Sequence, residues 1–468
     1  MVIRAPPISS FGFRRSILHF ASTGDKRIGG HNAAILYYFA MRRLRIVVQL
    51  ATLLAITAIA APPGLAQDAI PGAGLDLIQQ RVSQLRHLDF SSPVRVEIVS
   101  RDRLRSLNTE MFFRDNTQRE LDAEQTLLET LGYIPPGVDM VQVVLNLLGD
   151  EVDGFYDTVT KTIYVVSDEA ENLDPSAILA IAHEYTHALL DQNFDLKANE
   201  DARRANSDQT LAFQALVQGD AGIAQALYAG RYLYDRTTGQ DADSETSDSS
   251  FLQAPLILRR ELMFPEDNGV DFVVDAFLDG AWGAVDDLWA NPPASTAQVL
   301  HPEKYLAGQG PVTLPLPDVR SALGPGWTEL DENTLGELDI RTLIEQYSDR
   351  DIGERAAEGW AGDDYALLRR DSDGAAVFAM RTVWDTVDDA KEFATAYQLI
   401  ARARHGAKLE RLPAVDVPVT GPAPDTVWAA TGDNVTHVLI RDGKYVALVV
   451  ATDPIGLSIA ESLRPTSE

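Results

Sequence analysis

The hydrophobic period changes once along this chain, and that change constrains the fold more than any other feature. Up to about residue 363 apolar residues recur mainly at helical spacing, with short strand-like stretches between them. From Asp364 the period shortens to that of strands in DYALLRR, GAAVFAMRTVWD, TVWAATGD, THVLIRDG and KYVALVVATD, with DDAKEFATAYQLIARAR as a helix among them. This pattern predicts an α+β fold whose last part, 364–468, is a small α+β module. With 468 residues the chain is also too long for one ordinary core.

The earlier part divides further. LDLIQQRVSQLRHL reads as a helix over 75–88 and PVRVEIVS as a strand over 93–100, followed by helices near 101–115 and 118–131. GYIPPGVD breaks the chain, and MVQVVLNLLGDEV is a short helix. GFYDTVTKTIYVVSD predicts a hairpin with arms Phe155–Tyr156 and Thr162–Val166. In NLDPSAILAIAHEYTHALLDQ, Asp174 is suited to cap a helix and Pro175 to open it. A long helix is expected from about Ser207 to Tyr234, then an acidic linker over 235–250. Over 251–363 the expectation is a mainly helical region interrupted at FPEDNG, NPPAST and GPGW.

Composition excludes several function classes. There is no cysteine, so disulfides, iron–sulfur clusters, thiolate zinc sites and cysteine nucleophiles are ruled out. The net charge of −29, from 40 basic and 69 acidic side chains, repels phosphate backbones and anionic lipid and argues against nucleic acid as a partner. Residues 1–66 read as an N-terminal extension followed by a signal peptide that starts at Met41. Arg42, Arg43 and Arg45 form its basic start, Ile46 to Ala61 is uncharged, and a cut is expected after Ala66. The expected product is extracytoplasmic, periplasmic or secreted, with no stable membrane anchor after cleavage.

The chemistry is concentrated in AIAHEYTHALLDQ. A helix puts positions i and i+4 on one face, so His183 and His187 can offer two imidazole nitrogens to one metal ion. Glu184 sits one residue along, turned toward the approach of a water on that metal. Zinc acidifies such a water, a carboxylate takes its proton, and the ion polarises the carbonyl under attack. A catalytic zinc needs a third protein ligand. Leu190 and Asn193 occupy the Gly and His positions of the HExxHxxGxxH form, which excludes that class.

The chain resembles the gluzincin-type zinc metallopeptidases, and within them a poorly characterised group of secreted bacterial and archaeal members. GFYD, the HExTHAL.DQ.FDL pattern at His183–Leu196, and ALVQGDA at Ala215–Ala221 carry the likeness. PPASTAQVLHPEKY, TLGE and GW.GD.Y extend it over most of the chain beyond the signal peptide. The resemblance implies a zincin-like domain over 67–234, one Zn²⁺ ion, a peptide or protein substrate, and a third ligand at the residue before GDA. That residue is Gln218, where the family pattern has Glu. Three readings stay open. Gln218 ligates through its amide oxygen with reduced activity; a neighbouring carboxylate such as Asp208 or Asp220 substitutes; or catalysis is lost and a binding or assembly protein of the envelope remains.

Other residues have roles to test. Asp191, one turn after His187, can accept a hydrogen bond from a ligand imidazole, and Asp220 can do the same from the later helix. Thr162–Val166 can be a sheet edge that receives an extended peptide. His301, or Tyr305, can stabilise an oxyanion. The helical region over 251–363 would complete the cleft. The expected activity is peptide-bond hydrolysis with Glu184 as general base.

Overall fold

In the computed structural model of the chain, residues 74–150, 152–166, 173–233, 250–412, 424–452, 456–460 and 462–463 are described. The expected signal peptide and residues 235–249 of the expected linker lie outside them. Helix α1 (Gly74–Arg86) buries Ile78, Val82 and Arg86 at four-residue spacing and leads to strand β1 (Arg95–Val99). Helices α2 (Arg101–Asp115) and α3 (Gln118–Leu131) are separated by a capping box. The Thr117 hydroxyl accepts from the Glu120 amide, and the Glu120 carboxylate accepts from the Thr117 amide. Gly132, with φ of 84°, ends α3 in the left-handed conformation that glycine adopts without strain. Helix α4 (Met140–Asp150) precedes the hairpin of β2 (Gly154–Asp157) and β3 (Thr162–Val166).

The hairpin forms as its sequence predicts, but its second arm is not an edge. Strand β1 pairs in parallel with β3 on the side away from β2, giving the order β1–β3–β2. Thr162–Val166 is therefore the centre of the sheet, and Gly154–Asp157 is the edge strand of the pair. Helix α5 (Pro175–Phe194) covers this sheet. Ile178, Ile181, Tyr185 and Leu189 pack with Tyr156, Ile163 and Val165. Helices α6 (Leu196–Arg203) and α7 (Ser207–Tyr228) follow, and the latter ends in a π turn, Ala229–Leu233.

Helix α8 (Ser250–Gln253) leads to α9 (Leu256–Ala290), which departs from expectation twice. The helix runs through FPEDNG with Pro265 inside it and breaks instead at Gly280–Ala281, where Ala281 takes φ 52°. Proline costs a helix one hydrogen bond. Here Phe264, Pro265, Gly269 and Val273 are buried, and packing against α7 outweighs that loss. Helices α10 (Thr296–Leu300), α11 (Pro302–Leu306) and α12 (Val319–Leu323) complete this region. No helix among the described residues is long and apolar enough to cross a membrane.

The last part is a seven-stranded antiparallel sheet. In chain order it contains β4 (Trp327–Asn333), α13 (Gly336–Tyr347), α14 (Arg350–Ala357), β5 (Trp360–Arg370), β6 (Ala376–Trp384), α15 (Val387–His405), β7 (Glu410–Arg411), β8 (Thr426–Gly432), β9 (Val435–Asp442), β10 (Tyr445–Ala451) and α16 (Gly456–Ala460). The strand order is β4–β5–β6–β10–β9–β8–β7. Both faces are covered. Leu367, Phe378, Met380, Leu439 and Leu448 face α3, α13 and α15, while Leu368, Val377, Ala379, Val438 and Val449 face Val319 and Ile459. Burial on both faces is why the strands read as nearly continuous apolar runs. The sheet begins at Trp327, well before the expected boundary at 364. WTELDEN hides its strand because a bulge between Glu329 and Asp331 breaks the two-residue alternation.

Candidate metal centre

Helix α5 is buried nearly all round, as a central helix must be when it is apolar on most of its faces. Asp174 caps it by accepting from the Ala177 amide at 2.8 Å, and Pro175 opens it. His183, Glu184 and His187 come from its middle, where the backbone is fully hydrogen-bonded and rigid. Glu184 is 7% exposed.

Helix α7 crosses the same site. Asn206 caps it through the Gln209 amide at 2.8 Å. Three consecutive residues then do three different things. Gln218 turns its amide to α5, with Oε1 at 3.0 Å from His183 Nε2. Gly219 permits backbone contact with α9: a Cβ there would sit 2.2 Å from the Gly269 carbonyl oxygen, and a Cβ on Gly269 would sit 2.1 Å from that of Ala215. Asp220, fully buried, accepts from Arg86 Nε at 2.8 Å, from Arg86 Nη2 at 2.9 Å and from Trp289 Nε1 at 2.8 Å.

The donor atoms converge. His187 Nε2 lies 3.0 Å from His183 Nε2, and the rings meet edge to face at 4.7 Å between centroids. Ligand atoms of His183, Glu184 and His187 all lie within 4.8 Å of one another. Burial, reinforced by the neighbouring His183, holds His187 well below the ordinary imidazole range, so its ring is neutral and its lone pair available. Burial pushes Glu184 up to about 7 against the opposing effects of His183 and the Tyr156 amide, with Glu266 of α9 adding to the rise. Two imidazole nitrogens and an amide oxygen, each about 3 Å from the next, are the donor types and spacing that a tetrahedral zinc ion takes, so the residues present fit the metal. One feature is missing. His183 Nδ1 is buried with no hydrogen-bond partner, where a ligand histidine usually donates to a carboxylate or carbonyl.

Asp191 does not supply that partner. Its Oδ2 accepts from Tyr156 OH at 2.8 Å and Lys161 Nζ at 2.6 Å, and its Oδ1 from the Leu196 amide at 3.2 Å. It ties α5 to the hairpin instead of orienting a histidine. Asp220 is likewise committed to Arg86 and Trp289, on a face of α7 other than that of Gln218. Asp208 accepts from the Thr296 amide at 3.0 Å and hydroxyl at 2.5 Å, ten residues and about 15 Å along the helix from Gln218. No neighbouring carboxylate on α7 therefore replaces Gln218. His301 Nε2 lies 2.6 Å from Glu337 Oε1, and Tyr305 OH donates to the Asn291 carbonyl at 2.7 Å. His301 is thus engaged by Glu337 of α13, and the Tyr305 ring packs edge to face on Phe272 of α9 at 5.3 Å between centroids.

The residues that shape the site without a motif are Arg86, Lys161, Glu266 and Trp289. Arg86 alone left a signal, as a charge on the buried stripe of α1 at helical spacing from Ile78 and Val82. Among known proteins, residues 324–454 match a family described as a domain of unknown function (DUF8575). That span begins just before β4 and ends just after β10, so it covers the seven-stranded sheet and stops short of the histidines. No curated protein and no solved structure matches the chain.

Proposed function

We propose that the protein is an exported zinc-dependent metallopeptidase of the gluzincin type, with its third ligand altered. The observation that carries the reading is the meeting of His183 Nε2, His187 Nε2 and Gln218 Oε1 beside a buried Glu184. His183, His187 and Gln218 would hold one Zn²⁺ ion, which supplies acidification of a water and polarisation of the scissile carbonyl when bound. Glu184, on the same face, takes the proton of the attacking water and returns it to the leaving amine. Helices α5 and α7 with the three-stranded sheet form the zincin-like lobe in this reading. Helix α9 is the second wall, held at the Gly269 contact with Ala215 and Gly219. In this reading an extended peptide would run beside the edge strand β2, whose Tyr156 amide interacts with Glu184.

A second reading has its own observation. The amide at 218 removes one negative charge from the donor set, and His183 Nδ1 lacks a partner. Both weaken metal binding, as a non-catalytic envelope protein on the same scaffold would tolerate.

Metal content separates the two. Purified chain loaded with zinc and dialysed is expected to retain about one ion, and Gln218→Glu to bind it on the order of tenfold tighter in competition with a chromophoric chelator. Glu184→Gln is expected to keep the ion and lose peptide hydrolysis by roughly 10²- to 10⁴-fold. Zinc in the Gln218→Glu variant but none in the wild type would end the active-peptidase reading and leave the binding protein.

A further inference from the structure

A cleft lies where the start of α9 meets the turn after α3 and the junction of α13 with α14. Its volume is about 730 Å³, within the range of small-molecule sites. Tyr133, Val138, Val143 and Leu256 give it apolar walls, and Arg259 and Gln253 bring polar groups to it. None of these residues belongs to the candidate metal centre.

Arg259 is the unusual member. Its Nε–H is buried without a hydrogen-bond acceptor, and among the described residues no carboxylate forms an ion pair with its guanidinium. In a chain with 69 acidic side chains against 40 basic ones, acceptors are abundant, so the shortage is local. The two carboxylates that line the cleft are already committed. Glu345 accepts from two guanidinium nitrogens of Arg260, Nη2 and Nε, the latter to Oε2 at 3.2 Å. Asp349 caps α14 by accepting from the Ile352 amide at 2.9 Å. Arg350, at the same rim, is paired with Glu354 at 2.8 Å. The chain therefore satisfies the charges around Arg259 and leaves this one cation facing the cleft. Burial and the adjacent Arg260 hold Arg259 below the ordinary guanidinium range against the attraction of Glu345, a cost that a bound anion would relieve.

We infer that this cleft binds a small organic oxyanion, with Arg259 gripping the carboxylate or phosphate through its two terminal Nη–H groups while an apolar body lies against Tyr133, Val138, Val143 and Leu256. The end of a guanidinium offers two donors, one from each Nη, which match two oxygens of such a group. The apolar walls supply the remaining contact area, and Gln253 can pair with a polar substituent at the mouth. The site is independent of the metal centre: Arg259 lies ten residues, about 15 Å, along α9 from the Gly269 crossing.

Isothermal titration of the full chain with 4-phenylbutyrate, phenyl phosphate and the neutral 4-phenylbutanamide tests this. At least one oxyanion is expected to bind saturably at one per chain, with the amide about tenfold weaker or more. Whichever oxyanion binds tighter assigns the ligand to carboxylates or to phosphate esters. Arg259→Met is expected to lose the same factor and Arg259→Lys to regain part of it. Should Arg259→Met not fold, Val143→Trp puts a large side chain on the cleft lining, keeps the arginine, and is expected to abolish binding. Equal affinity for amide and oxyanion, no saturable binding of any probe at millimolar concentration, or unchanged binding in Arg259→Met or Val143→Trp overturns the site.

Discussion

Gln218, Gly219 and Asp220 are neighbours in sequence and point into three environments: the histidines, the backbone of α9, and the buried Arg86 with Trp289. Only the first of these roles was legible, because His183 and His187 announce a donor set and a family pattern marks the position. The role of Asp220 was not, since its partner lies 134 residues away and nothing local distinguishes a buried ion pair from a histidine acceptor. The pair has a measurable consequence. Arg86 is fully buried, and its other acid, Asp286, is 45% exposed. Asp220→Asn leaves a buried guanidinium facing a neutral amide, and removing one partner of such a pair typically costs ~3 kcal/mol or more. Urea titration of the variant is expected to show a lower midpoint at an unchanged slope. A loss below ~1 kcal/mol would mean that Asp286 compensates.

At the scale of elements, local chemistry was readable and tertiary choice was not. Helix α5 starts at its Asp-Pro signal, and α2, α3 and α15 fall close to where apolar spacing puts them, because caps and periodicity are short-range. Pro265 failed to stop α9, since the decision there belongs to packing against α7. Thr162–Val166 was recognised as a strand but not as a central one, because pairing with β1 is long-range. Helix α15 and β9 share another long-range feature. His437 Nδ1 lies 2.9 Å from Tyr397 OH, and His437 Nε2 lies 2.9 Å from His405 Nε2. Burial lowers both imidazoles, with Arg404 adding to the effect; His405 also feels Asp433 in the raising direction and Lys408 in the lowering one. The folded chain thus keeps both neutral where the unfolded chain, near the ordinary value of 6.5, takes up protons. Below that pH the unfolded state binds more protons, so this contribution is complete above about 6.5 and falls as pH drops. The slope is up to ~1.4 kcal/mol per pH unit for each histidine. Buried Asp208 and Asp363, raised to about 7 and about 6, act in the opposite sense. The difference between wild type and His437→Phe isolates the histidine: the variant is expected to lose less stability between pH 6.5 and 5. Parallel stability–pH curves for the two proteins would refute the assignment.

Across the whole molecule, the family match and the core disagree about where a domain ends. Residues 324–454 match as a unit, and among the described residues the seven strands pair only with one another. Yet the apolar face carrying Leu367, Phe378, Met380, Leu439 and Leu448 shares one core with Leu121, Leu127, Leu128 and Leu131 of α3 and with Met140 and Leu147 of α4. Two further contacts bind the same region, from Arg404 Nη1 to the Leu131 carbonyl at 2.8 Å and from Tyr347 OH to the Gly132 carbonyl at 2.5 Å. Residues 101–150 thus form part of the cover of a sheet that begins almost two hundred residues later, and no spacing along the chain could show it. The consequence is testable by excision. A fragment of residues 324–468 keeps every strand and loses the α3 and α4 layer, leaving a contiguous apolar face in water. It is expected to bind 1-anilinonaphthalene-8-sulfonate, to self-associate in size-exclusion chromatography, and to melt without a sharp transition. A longer fragment, from residue 101 onward, restores the cover and is expected to lose the dye binding. A short fragment that is monomeric, dye-silent and cooperative in melting would show instead that α13, α14 and α15 suffice to close the core, and that α3 and α4 merely rest on a finished domain.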